Sequence, residues 1–131
     1  MPTWTICKEF RFEASHQLPH HDGKCARLHG HSWRMVVRVR ADGLALNGPK
    51  QGMVMDYGDL KAILNPIVEK LDHHHLNDIP GLANPTSEVI SQWVALQVES
   101  EFKKLGCHLD SITIGETCTC ECHYSPGRLI P

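Results

Sequence analysis

The sequence predicts an α+β domain: an antiparallel β-sheet with two helices packed on one of its faces. Three observations predict it. Strand-like and helix-like stretches are grouped along the chain instead of alternating. Apolar residues recur at every second position near the N-terminus and over 31–40, but at helical spacing from Gly58 onward. Stretches rich in turn residues separate these segments.

The first strand is expected over 4–14. Phe10, Phe12 and Ala14 share one parity, while Arg11, Glu13 and Ser15 hold the other. A second strand is expected over 31–40, where Trp33, Met35, Val37 and Val39 alternate with Arg34, Val36, Arg38 and Arg40. The turn-rich "ADGLALNGPKQG" leads to "MVMDY", read as a short extended segment. From Gly58 to Leu71 the period changes. Leu60, Ile63, Leu64, Ile67, Val68 and Leu71 fall on one helical face. Pro66 lies inside this pattern and should kink or divide the helix. After the loop "NDIPGLANP", a second helix is expected from Thr86 to Leu105, with start signals at Asn84-Pro85-Thr86 and a stop at Gly106. "LDSITIGET" and "CTCECHY" read as two closing strands. So few strands leave sheet edges open, and open edges invite pairing between subunits, so an oligomer is expected.

The 131 residues suit one domain spanning 1–131. Apolar residues make up 41% and charged ones 21%, enough for a core without a disulfide or metal staple. The net charge of −2, with no long basic run, gives no electrostatic case for nucleic acid or an anionic membrane as partner. No apolar stretch approaches the about 20 residues of a membrane span, and "MPTWTICKEFRF" has no signal-peptide core. A cytoplasmic location is expected, with the six cysteines reduced. The unusual count is histidine, ten in all.

Many of the histidines are bunched. Side chains at i and i+2 of a strand project together, so His29 and His31 point the same way if the second strand begins that early. His16 continues the apolar parity of the first strand. If the two strands form a hairpin with 17–28 as the loop, three imidazoles converge at one end of the sheet. Zinc held by three histidines with a fourth position open is a catalytic arrangement. A closed structural site needs a fourth protein ligand, for which Cys25 is the candidate. In "LDHHHLND", Asp72 beside His73 is either an acid–base relay or a polar helix end. Glu116, near the end of an apolar strand, is either exposed or paired with a guanidine-like ligand face. Cys118, Cys120 and Cys122 read as one packed strand face, since strand spacing suits zinc poorly.

Taken in order, "FEASHQLP", "CARLHGHSW", "GMVMDYGDLK", "LDHHHLND", "NPTSEV" and "ETCT" resemble the 6-carboxy-5,6,7,8-tetrahydropterin synthases of the 6-pyruvoyl-tetrahydropterin synthase family, from Phe10 to Tyr124. Three residues between Cys25 and the His-Gly-His resemble the carboxy branch, the pyruvoyl branch typically having five. His75 departs from relatives, which often carry an aromatic there. The resemblance implies a tunnelling fold, with sheets from three subunits closing into a barrel and two trimers stacking as a hexamer. It implies Zn2+ on His16, His29 and His31, with Cys25 as catalytic base and not a ligand. Asp72 and His73 would form the relay, supplied by a neighbouring subunit. Glu116 would anchor the pterin ring, with Thr86 and Glu88 near it. The implied reaction converts 7,8-dihydroneopterin triphosphate to 6-carboxytetrahydropterin, acetaldehyde and triphosphate, on the route to queuosine and other 7-deazapurines. Lys24 and Arg27, flanking Cys25, are candidates to hold the anionic tail, or else solvated loop charges. The competing readings are pyruvoyl-type activity and a non-catalytic zinc module.

Overall fold

Alternation settles the two long strands. In the computed structural model, which describes residues 2–127, β1 runs Trp4–His16 and β2 runs His29–Ala41. They pair antiparallel in unbroken register from Trp4 opposite Ala41 to His16 opposite His29. Both strands therefore run past the expected limits, and the extra residues include His16 and His29. Phe10, Phe12, Ala14 and His16 face inward with Trp33, Met35, Val37 and Val39. The odd positions of β1 from Thr5 to Glu13 stay exposed on the other face.

The expected extended segment at "MVMDY" is not a strand. Met55 is buried, and the Asp56 side chain accepts the Gly58 amide at 2.7 Å, so this stretch starts a helix instead. Helix α1 spans Tyr57–Leu71 and is not divided at Pro66. Proline denies a hydrogen bond to the carbonyl of Ala62, but both residues are exposed and water can serve that group. Leu60, Leu64, Ile67 and Leu71 are buried on the opposite side and hold the helix together.

Helix α2 spans Ser87–Lys104 and buries Ile90, Val94, Ala95, Val98 and Phe102. Thr86 caps it by accepting the Val89 amide at 3.1 Å. Gly106, at φ 75°, ends it, with its amide on the Lys103 carbonyl and that of Cys107 on the Phe102 carbonyl. α1 packs on β1, and α2 on the two closing strands, so both helices cover one face.

A two-residue strand, β3 (His74–His75), pairs parallel with Ala14 and Ser15 of β1. The antiparallel expectation misses this edge, which makes the sheet mixed. β4 (His108–Gly115) and β5 (Glu121–Tyr124) complete the order β3-β1-β2-β4-β5. β5 is shorter than expected. Cys118 and Cys120 lie exposed in the loop before it, and only Cys122 packs inward, 3.8 Å from the Ser91 hydroxyl. The three cysteines therefore do not share one packed face. Trp33, Phe12, Met35, Leu60 and Leu71 are each under 2% exposed. Full burial of such a side chain stabilises by about 1.5–3 kcal/mol, which gives the histidines at the sheet end a firm floor.

Candidate active site

The hairpin brings the three histidines together. His16 and His29 are the last pair of the β1–β2 ladder, and His31 sits opposite Ala14. Their rings meet edge to face, with centroids 4.5–5.1 Å apart. Trp33 forms the floor, 5.0 Å from the His16 ring and 5.2 Å from that of His31, and its own N–H donates to the Ala14 carbonyl at 3.1 Å.

Backbone carbonyls fix which ring nitrogens face inward. His16 Nδ1 is 2.9 Å from the Pro85 carbonyl, and His29 Nδ1 is 2.7 Å from that of Arg27. A carbonyl only accepts, so both Nδ1 atoms carry the proton and both Nε2 atoms, when neutral, present lone pairs. Those two Nε2 atoms lie 3.0 Å apart. Two lone pairs at that distance repel unless a proton or a cation lies between them. Burial, the largest influence, pulls His16 and His31 below the ordinary histidine value of 6.5, which favours the neutral, ligating form.

Glu116 closes the group. Its Oε1 is 3.0 Å from His31 Nε2 and 3.3 Å from His16 Nε2. The His31 contact is out of line, so this buried nitrogen has no hydrogen-bond partner. The four donor atoms all lie within 4.8 Å of one another. The closest separations match neighbouring ligands around a tetrahedral ion with bonds of about 2.0–2.1 Å. Paired Nε2 lone pairs, an unpartnered buried nitrogen and a carboxylate fit a divalent metal. Nitrogen-rich donors suit zinc among such ions.

The other expected residues are distributed differently. Asp72 follows α1 and hooks onto the edge of β1. Its Oδ1 accepts the Glu13 amide at 2.8 Å, and its Oδ2 meets His73 Nδ1 at 2.9 Å. The Glu13 amide first, and then His73, hold its carboxyl below the usual 3.8. His73 is thereby oriented with Nε2 free, at a left-handed φ of 58°, with 78% of its side chain exposed. A shallow cleft of about 480 Å³ over β1 is lined by both His31 and His73. Cys25 sits on a 3-10 turn, Lys24–Ala26, with Lys24 beside it and Arg27 just after. It does not belong to the four-residue donor group and does not line this cleft. Thr86 spends its hydroxyl on the α2 cap, and Glu88 accepts from Ser87 at 2.7 Å in the first helical turn.

Two positioning groups escaped sequence reasoning. One is the Pro85 carbonyl, which orients His16. The other is Asn77, whose side chain accepts the Gln17 amide at 3.0 Å and donates to the Gln17 carbonyl at 2.7 Å. That paired contact clamps the chain immediately after His16. A carbonyl leaves no residue-type signal, whereas Asn in "LND" after a histidine run was a visible but ambiguous one.

The family model for 6-pyruvoyl tetrahydropterin synthase matches residues 5–127. The chain belongs to the 6-pyruvoyl tetrahydropterin synthase family. It is 52% identical over 129 residues to a Synechocystis sp. protein named 6-carboxy-5,6,7,8-tetrahydropterin synthase, covering 98% of each chain. An Archaeoglobus fulgidus protein, named a putative enzyme of the same activity, is 35% identical and covers 80% of this chain and 81% of its own. Among solved structures, the Caenorhabditis elegans 6-pyruvoyl tetrahydropterin synthase superposes with a TM-score of 0.82 at 26% identity, over 97% of this chain and 98% of that one. The mixed five-stranded sheet with two helices is thus the tunnelling fold of this pterin synthase family, and the chain is an enzyme of that family. No helix among the described residues is long and apolar enough to cross a membrane.

Proposed function

We propose that this chain is a zinc-dependent 6-carboxy-5,6,7,8-tetrahydropterin synthase, a carbon–carbon lyase. It converts 7,8-dihydroneopterin triphosphate to 6-carboxytetrahydropterin, with release of acetaldehyde and triphosphate, and serves queuosine and related 7-deazapurine synthesis in the cytoplasm. The carrying observation is the convergence of three imidazoles, the Nε2 atoms of His16 and His29 turned inward by backbone carbonyls and that of His31 buried beside them, in a chain so similar to the Synechocystis protein of that name. When bound there, zinc supplies Lewis-acid polarisation of the substrate side-chain oxygens.

The chain's own residues do the rest. Glu116 lies where it can serve the pterin's guanidine-like edge once a metal occupies the histidines. Cys25 acts as the base that takes a proton from the substrate side chain. His73, oriented by Asp72 through Nδ1, leaves Nε2 to carry the second proton. The exposure of His73 supports its service to a neighbouring subunit, in a homo-oligomer built as a hexamer of two barrel-forming trimers.

Incubation with dihydroneopterin triphosphate tests the reading. Acetaldehyde and 6-carboxytetrahydropterin are expected, and both should vanish with a chelator. A pyruvoyl product without acetaldehyde would instead assign the activity for which the family model is named. Metal binding with no turnover would leave a zinc module.

A further inference from the structure

Arg11 and Arg34 stand directly opposite one another on β1 and β2, on the sheet face that the helices leave uncovered. Like charges in directly opposed positions cost stability. Nearby carboxylates offset this only in part. Arg11 reaches Glu9 through one contact of 3.3 Å, and Arg34 reaches Glu121 at 3.4 Å and Glu9 at 3.9 Å. None of these is the two-pronged pairing a guanidinium makes with a well-placed carboxylate. Glu121 is shared besides with the His123 imidazole at 2.7 Å. A guanidinium carries five N–H donors, so among the described residues most donors of this pair have no acceptor.

The two arginines border a cleft of about 520 Å³, with His31, Ser32, Glu116 and Thr117 on its other walls. The cleft therefore joins the arginine pair to the metal group. Gly115 seats Arg34 in it: a Cβ at 115 would stand 3.0 Å from the Arg34 Nη2. Lys24 and Arg27 do not line this cleft.

We propose that Arg11 and Arg34 bind the phosphate tail of the substrate, so the ligand class of this cleft is a polyphosphate ester whose organic end lies toward His31 and Glu116. This rests on the pterin triphosphate reading above. Permanently charged planar forks suit phosphate oxygens better than lysine does, and two of them side by side suit successive phosphoryl groups.

The test titrates inorganic tripolyphosphate into the metal-loaded protein by calorimetry, with metal content measured again afterwards. Unphosphorylated dihydroneopterin is titrated separately by fluorescence. Arg11→Gln and Arg34→Gln should each weaken tripolyphosphate at least tenfold, and the double variant more. Arg34→Lys should recover part of the loss. Dihydroneopterin affinity and metal content should stay at wild-type levels, which also shows that the variants are folded. Wild-type tripolyphosphate affinity in the double variant would overturn the proposal. So would no binding by the wild type, or a loss carried instead by Lys24→Ala with Arg27→Ala. Failure of the pterin reading shows separately, as absent dihydroneopterin binding and no acetaldehyde.

Discussion

The imidazole group and the Asp72–His73 pair lie at the same end of one sheet, yet they are built to opposite standards. His16 is fully buried, floored by Trp33 and tied to the Pro85 carbonyl. His73 reaches into open space from a single carboxylate, and Cys25 rests on a short turn, outside the four-residue donor group and not lining the cleft that His31 and His73 share. One region is complete within a chain. The other has its parts oriented but not assembled. The proposed roles account for the difference: metal ligands must converge within a few tenths of an ångström and need a rigid frame, whereas proton carriers can be brought in by a second subunit.

The contrast breaks most visibly through paired substitutions. His29→Ala should reduce bound metal to below a tenth of the wild-type content per chain and abolish turnover. Cys25→Ala should keep the metal while turnover falls by about 10²–10⁴. Metal analysis beside the acetaldehyde assay decides the matter. A Cys25→Ala protein that loses its metal would make Cys25 a ligand and erase the distinction.

Acid separates the regions next. In the metal-free protein His16 and His31 sit below 6.5 when folded, mainly through burial. The unfolded chain then binds more protons than the folded one between the lowered values and 6.5. Stability is full above that window and falls as pH drops through it. Asp72 carries a linkage of the same sign, depressed from 3.8, so its contribution is lost only at far lower pH. Melting of chelator-treated protein should show a first loss as pH falls through 6.5, with the Asp72 loss below 3.8. A flat profile across the upper range would mean the imidazoles are not held neutral.

The smallest effect concerns Thr86. As a cap, Thr86→Ala should cost about 1 kcal/mol in denaturant unfolding and leave KM unchanged. A tenfold rise in KM would bring its hydroxyl into the substrate site.

Much of this was legible in the sequence because strand periodicity is strict. Parity alone put His16, His29 and His31 on one face, and the hairpin did the rest. The 3.6-residue pattern found α1 despite Pro66, whose penalty is small where the freed carbonyl meets water. The β3 edge was not legible. Two residues are too few for any alternation, and their pairing depends on Glu13 meeting Asp72 and His73 across the fold. "MVMDY" misled because a buried Met55 before a capping aspartate has the same local composition as a short strand. Glu116 was located correctly as the end of an apolar strand. Its approach to the imidazoles depends on how β4 pairs with β2, which composition does not encode. The arginine pair needed the register itself.

The left-handed backbone at His73 carries a further consequence. Few side chains tolerate that conformation: glycine freely, asparagine and aspartate acceptably, histidine less comfortably. Different selections should therefore pull the position in different directions. Lineages screened only for heat resistance should drift toward glycine there, while those screened for turnover should retain the imidazole under the proton-carrying role proposed for it. On that proposal, robustness and chemistry compete for a single codon at residue 73.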